Sequence, residues 1–251
     1  MKSTAFAIAL FLFVTNAIAQ KGREFYHITI YHYKTPEQEK TIDEFLENSL
    51  LPSLHKKVSK SIGVFKPIAN DTAVAKKIII LIPFKKLEDV ASVGPGFASE
   101  GSPAYANAEY NNAPFTRIEN ILLKAFSMQP KMDRPQLAGP KEEYIYELRS
   151  YESATEKLYW NKVKMFNEGG EIALFKRLGF NAIFYGEVLS GCTMPNLMYM
   201  TSFANMKSRD EHWKTFGQDA EWKKLVAMPE YQHNVSKITV TLMRRASYSD
   251  Y

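Results

Sequence analysis

Two short segments carry the residues best suited to chemistry. Residues 26–33 read Tyr-His-Ile-Thr-Ile-Tyr-His-Tyr, and residues 144–151 read Tyr-Ile-Tyr-Glu-Leu-Arg-Ser-Tyr. Both have the aromatic and β-branched make-up of strands. Side chains alternate across a strand, so His27, Thr29, Tyr31 and Tyr33 share one face, and Ile145, Glu147, Arg149 and Tyr151 share one face of the other. Glu147 and Arg149 point the same way. They could form an ion pair that bridges two sheets and fixes register, since a buried charge demands its partner. They could instead anchor an anionic or polar ligand. The opposite faces, Tyr26-Ile28-Ile30 and Tyr144-Tyr146-Leu148, are apolar and suit packing against helices. The mixed faces are therefore predicted to line a closed interior, with His27, Tyr31, Tyr33, Glu147, Arg149 and Tyr151 as candidate ligand-binding residues. A polar lining there needs hydrogen bonds, water or a ligand.

Other candidates are more isolated. His212 and Trp213 fall in a helical stretch with Phe216 and Trp222. His212 could serve as an axial haem ligand in a cleft between helix and sheet, or be a surface histidine beside Glu211. Trp213 and Trp222 belong to the same candidate cleft. His27 and His32 lie on opposite faces of one strand, and no His-x-x-x-His or Glu-x-x-His set is present, so neither a metal nor a resident cofactor is predicted. The single cysteine, Cys192, sits in a predicted turn, either as an exposed thiol or as a small loop residue. Phosphate-binding glycine loops and a nucleophile elbow are missing. Sixteen Phe and 14 Tyr could wall a pocket for an aromatic ligand or simply fill cores.

These residues sit in a sequence that repeats itself. Strand 26–33 recurs as 144–151, Ser61-Ile62-Gly63-Val64-Phe65 as Arg177-Leu178-Gly179-Phe180-Asn181, and the apolar run 78–84 as 197–203. The near-constant offset marks one folding unit duplicated. Each half reads strand, helix, strand, strand, helix, strand. The second half has strand 144–151, helix 156–178 interrupted at Gly169-Gly170, strands 181–188 and 197–203, helix 208–227 and strand 236–244. The first has strand 25–33, helix 36–60, strands 64–69 and 77–83, and strand 118–128. Its second helix is degraded, because residues 93–114 carry Gly94, Pro95, Gly96, Gly101, Pro103 and Pro114. A βαββαβ order is the ferredoxin-like unit, with both helices on one face of a four-stranded antiparallel sheet. Two such units can cover each other's bare sheet faces. The predicted fold is α+β: a first unit over 22–127, an extended Pro- and Gly-bearing linker over 128–143, and a second unit over 144–246, forming a barrel within one chain.

Residues 1–19 read as a secretory signal peptide. Met1-Lys2 is positive, residues 5–14 are apolar, and Ala17-Ile18-Ala19 is a small-x-small cleavage site. The apolar stretch is short for a membrane span. An exported protein, periplasmic or secreted, without stable membrane insertion follows as the expectation. Cleavage would leave 251 − 19 = 232 residues, and the net charge of +5 would fall to 31 − 27 = +4. The basic residues are scattered, without the concentrated stripe of a nucleic-acid reader.

The second half resembles the NIPSNAP family. Tyr146-Glu147-Leu148-Arg149-Ser150-Tyr151 is similar to the family's opening strand, and Lys207-Ser208-Arg209 to the start of its second helix. Asp219-Ala220-Glu221-Trp222 is similar to the family's Asp-Pro-Glu-Trp signature, with Ala220 where Pro is usual. The first half is a weaker copy, with Tyr31 aligned to Arg149. The resemblance implies the dimeric α+β barrel superfamily, which includes cofactor-independent monooxygenases and haem-binding enzymes. It brings no catalytic residues with it. The expectation is an exported barrel that binds a small molecule or a protein partner and could self-associate. The alternative is a monooxygenase-like or haem-handling enzyme, which needs a pocket of several hundred Å³ with convergent polar groups.

Overall fold

The structure, a computed structural model, describes residues 22–191 and 193–251. The predicted signal peptide and Cys192 lie outside the described residues. The first unit comprises β1 (Phe25–Tyr33), α1 (Pro36–Phe45), a π-helical turn (Leu46–Leu50), α2 (Leu51–Lys57), β2 (Gly63–Pro67), β3 (Lys76–Phe84), two short helices α3 (Leu87–Ala91) and α4 (Pro103–Ala106), and β4 (Arg117–Ala125). The second comprises β5 (Ile145–Glu152), α5 (Glu156–Asn167), α6 (Glu171–Arg177), β6 (Asn181–Ser190), β7 (Asn196–Phe203), α7 (Met206–Gln218), α8 (Ala220–Val226) and β8 (Lys237–Arg245).

The eight strands close into one barrel in the order β1-β3-β2-β8-β5-β7-β6-β4. Each unit thus contributes an antiparallel 4-1-3-2 sheet. The sheets join at two short seams. Phe65, Lys66 and Pro67 of β2 face Arg245, Arg244 and Met243 of β8. Leu122 to Ala125 of β4 faces Ser190 to Gly186 of β6, across a bulge. Seam partners come from different halves, so neither half holds a complete barrel.

Local signals set the helix boundaries. Thr35 caps α1, accepting from Gln38 N at 3.3 Å, while the Gln38 side chain accepts from the Thr35 amide at 3.4 Å, and Pro36 takes the first turn. The predicted long helix 156–178 is two helices. Gly170, at φ +90°, ends the first path, and a Cβ on Gly169 would lie 2.6 Å from Met165 O. The predicted helix 208–227 also breaks, at Asp219. Its carboxylate caps α8, accepting from Glu221 N at 2.9 Å and Trp222 N at 3.2 Å. Ala220 is then the first residue of α8, a position that favours proline.

The core is built in three layers, and here one expectation is corrected. The barrel interior holds the apolar set: Tyr26, Ile28 and Ile30 pack with Tyr146, Leu148, Phe65, Met200 and Met243 in one cluster shared by both units. Tyr26 meets Phe184 of the second unit at 5.1 Å between ring centres, and Phe65 of the first meets Tyr146 at 4.7 Å. The polar set, His27, Tyr31, Tyr33, Glu147, Arg149 and Tyr151, therefore points outward toward the helices, not into the barrel. The reason is supply. The interior is lined by apolar and aromatic side chains and offers no partners for charge, whereas the helices bring donors.

The linker is more than a spacer. Met132 and Leu137 pack against the barrel core. The Met132 amide donates to Glu24 Oε2 at 2.7 Å, the Asp133 amide to Ile183 O at 2.9 Å, and Gln136 N to Asn181 Oδ1 at 2.9 Å. Residues 128–143 form a strap tied to both units across one end of the barrel.

Candidate functional site

The second unit holds its polar side chains between sheet and helices. Glu147, with no exposed surface, sits at the centre. It accepts from Arg149 Nε at 2.6 Å, Arg209 Nε at 2.7 Å and Trp213 Nε1 at 2.9 Å. Arg209 Nη2 adds a contact at 3.2 Å. Burial pushes this carboxyl up, but the Arg209, Arg149 and Trp213 donors outweigh it and hold it below its ordinary value. The Arg149 guanidinium lies 3.8 Å from the Trp213 ring centre and donates to Tyr151 Oη at 3.1 Å; Tyr151 bonds Tyr199 Oη at 2.9 Å. Two elements, β5 and α7, thus meet at one carboxylate, and Tyr151 and Tyr199 carry the network on to β7. The pair does not bridge the two sheets. It joins a sheet to its own helix.

A second buried pair lies nearby. Lys162 Nζ of α5 donates to Glu171 Oε2 of α6 at 2.8 Å, with side-chain exposures of 5% and 3%. Phe166, Tyr151 and Trp222 surround the ammonium, the nearest ring centre at 4.7 Å. Burial raises the Glu171 carboxyl, and Lys162 and Arg149 offset this only in part. The pair spans the Gly169-Gly170 break and holds α5 against α6. Nothing in the spacing of Lys162 and Glu171 marked them beforehand, since they stand nine apart on what read as one helix.

The first unit lacks this network. Strand register makes Tyr31 equivalent to Tyr151: Tyr31 faces Ile78 and Ile118, and Tyr151 faces Leu197 and Ile238. The alignment of Tyr31 with Arg149 is therefore two residues out. Thr29 stands where Arg149 does, and His27 where Glu147 does. His27 Nδ1 is buried without a partner, and burial lowers the pKa of the imidazole, favouring its neutral form. Tyr31 bonds Tyr105 Oη at 3.3 Å, and Tyr33 accepts from Asn70 Nδ2 at 3.3 Å. The loop that replaces the second helix supplies Tyr105 and Phe115 as filler.

His212 does not suit haem. Its Nδ1 donates to Ser208 O at 2.7 Å, within its own helix. Phe180 and Phe203 pack on the ring at 5.5 and 5.6 Å between ring centres. Trp222 packs on Phe216 in a tilted arrangement, 4.4 Å between ring centres. No group of three His, Cys, Asp or Glu among the described residues is placed to hold a metal ion.

Open space lies at the edge of this layer. A cleft of about 470 Å³ runs between the strap, α6 and β6. Asp133, Arg134 and Gln136 of the strap, Lys176 of α6, and Phe180, Asn181 and Tyr185 line it. Tyr185 is 1% exposed, its hydroxyl has no hydrogen-bond partner, and burial raises its pKa well above the phenol range. A smaller cleft of about 350 Å³ separates α6 from α8. Sequence reasoning did not find the larger cleft, because its strap wall read as a linker.

The NIPSNAP family model matches residues 146–250. The second unit is similar to this family. It contains Glu147, Arg149, Arg209 and Trp213, the whole charged network, together with Asp219 and Trp222 of the capped turn. Whole-chain similarity extends to other barrels. A monooxygenase candidate from Fusobacterium nucleatum has a TM-score of 0.61 and 7% identity, covering 90% of this chain and 93% of that one. An anthrone oxidase-like protein has a TM-score of 0.55 and 12% identity, covering 91% and 94%. A chlorite dismutase candidate has a TM-score of 0.51 and 11% identity, covering 91% and 97%. At these identities the likeness establishes the fold, an α+β protein built on an eight-stranded antiparallel barrel. No curated protein sequence matches the chain. Among the described residues, no helix is long and apolar enough to cross a membrane.

Proposed function

We propose that this protein is an exported barrel protein that binds a small molecule through its NIPSNAP-like unit, in the cleft between strap, α6 and β6. The cleft carries the reading. Its volume of about 470 Å³ falls in the range of small-molecule sites, and it combines aromatic walls, Phe180 and Tyr185, with Lys176, Asp133 and Gln136. The barrel interior and the Glu147 layer are filled by packed side chains. The Glu147 network is the frame behind the site: it fixes α7 to β5, while Lys162 and Glu171 fix the break from which α6 starts. Export rests on the N-terminal pattern of charge, apolar core and small residues.

A thermal-shift screen of small aromatic and aliphatic acids, alcohols and amides tests binding. A hit is expected to stabilise the natural chain and to lose that effect in Lys176→Glu. A hit unaffected by Lys176→Glu and by Phe180→Ala would place binding elsewhere and reject the cleft.

Oxygenation of an aromatic ligand is the second reading. It is supported by the monooxygenase candidate and the anthrone oxidase-like protein among the whole-chain fold neighbours, and by the aromatic walls of the cleft. Oxygen uptake on adding an anthrone is the decisive readout. Uptake no faster than with heat-denatured protein would remove this reading and leave binding alone.

A further inference from the structure

One strand of the barrel is paired on both sides over only part of its length. β8 meets β5 along its length, from Met243 opposite Tyr146 to Lys237 opposite Glu152. On the other side β2 pairs only with Met243, Arg244 and Arg245. β2 stops at Pro67, which has no amide to donate, and the chain then continues as a 3-10 turn, Ile68–Asp71, that touches β8 without adding a strand to it. The segment Lys237-Ile238-Thr239-Val240-Thr241 is left as a free edge. Its first four residues are exposed; Ile238 keeps 50% of its surface and Val240 41%.

Free edges are hazards that proteins usually blunt with charge, proline, bulges or cover. The other seam does so. There the matching segment of β4 carries Arg117 and Glu119, a bulge follows at Leu122/Leu123, and the Gly191 backbone packs on Ile121. β8 has only the charge of Lys237, at its start, over 237–241. It has Ile-Thr-Val-Thr, the residue types with the strongest preference for paired strands. The sequence is also self-complementary. In an antiparallel pair centred on Thr239, Ile238 of one copy lies opposite Val240 of the other on the outward face, twice. Lys237 falls opposite Thr241 and not opposite a second Lys237. Its ammonium is 3.3 Å from Glu152 Oε1 of the neighbouring strand, so the approaching copy meets a neutralised edge.

We propose that two copies of this chain associate through β8 edges, antiparallel about a two-fold axis at Thr239. Five residues a side is a small interface against the roughly 20–30 of a standard one, so the dimer dissociates on dilution. The free edge is the docking site, and a second copy of the chain is its occupant.

Sedimentation velocity of the full chain, dilute and concentrated, tests association. The expected result is a monomer that becomes a dimer with concentration, and a monomer throughout for Val240→Lys at an unchanged melting temperature. The register has its own test. In a Cys192→Ser background, Thr239→Cys puts identical residues directly opposite, with Cβ atoms about 4.5–5.5 Å apart before adjustment, close to disulfide reach. Oxidation should yield a cross-linked dimer, and Lys214→Cys on exposed α7 should not. A natural chain that stays monomeric when concentrated, or a dimer that survives Val240→Lys, overturns the proposal. So does equal cross-linking at both cysteines.

Discussion

Glu147 and Arg149, two residues apart on β5, form an ion pair at 2.6 Å whose carboxylate has no exposed surface. Arg209 and Trp213 complete its shell from the helix side. The pair is a junction between one sheet and the helix that covers it.

Removing the carboxylate charge leaves two guanidinium groups short of a partner. Glu147→Gln is expected to lower stability by about 3 kcal/mol, the low end for breaking a buried pair. Urea unfolding at neutral pH measures it. A change within about 0.5 kcal/mol, the scatter of surface substitutions, would show that the network holds nothing together.

The same carboxyl has a pH signature. Its folded-state pKa is lowered, with burial opposing and the Arg209, Arg149 and Trp213 donors prevailing. Stability from such a group is present above the unfolded-state pKa of about 4.3 and is lost as pH falls toward the folded value. The gap between the natural chain and Glu147→Gln should therefore be full at neutral pH and shrink below about pH 4. Urea midpoints for both chains across that window check the sign. A gap that widens in acid would contradict it.

Tyr185 gives a prediction of opposite direction. Its buried hydroxyl has no partner in the protein, so Tyr185→Phe removes a desolvation penalty and no hydrogen bond. The melting temperature of the free protein should stay level or rise. A clear fall would mean that a bound water or ligand satisfies the hydroxyl.

The repeat and its near-constant offset pointed to a duplicated βαββαβ unit, and with it to an α+β barrel within one chain. Alternation showed which residues share a face. It did not show which face is inside, because both faces of each sheet are buried and the usual polar-out pattern is lost. Tyr26 and Tyr146 look equally suited to a helix or to a barrel core. Only the partners decide: Phe184 and Phe65 come from the opposite unit, and Arg209 and Trp213 from the helix. Arg209 stood in a recognisable motif, but its contact with Glu147 spans 62 residues and leaves no trace in spacing. The two-residue misalignment of Tyr31 has a similar origin, since Tyr26 can be set against Tyr144 or Tyr146 with little change in pattern. The cleft was hidden because one wall is a strap without periodicity.

Gly169 tests the helix break. A Cβ there would lie 2.6 Å from Met165 O and 3.0 Å from Tyr231 Oη, so backbone must move. Gly169→Ala is expected to cost about 2 kcal/mol, in the upper part of the ordinary range, and to disturb the Lys162–Glu171 contact. Chemical unfolding measures the loss. A neutral result would mean that α5 and α6 can shift apart freely.

The two halves share one core across the seams. All three tryptophans, Trp160, Trp213 and Trp222, lie in the second unit, so their fluorescence reports that unit alone. Phe65 belongs to the first unit and packs on Tyr146 of the second. Phe65→Ala should destabilise the protein by about 3 kcal/mol, and the tryptophan-monitored transition should move by the same amount as the circular-dichroism transition, in one step. A tryptophan transition left in place while the first unit unfolds earlier would contradict the shared barrel.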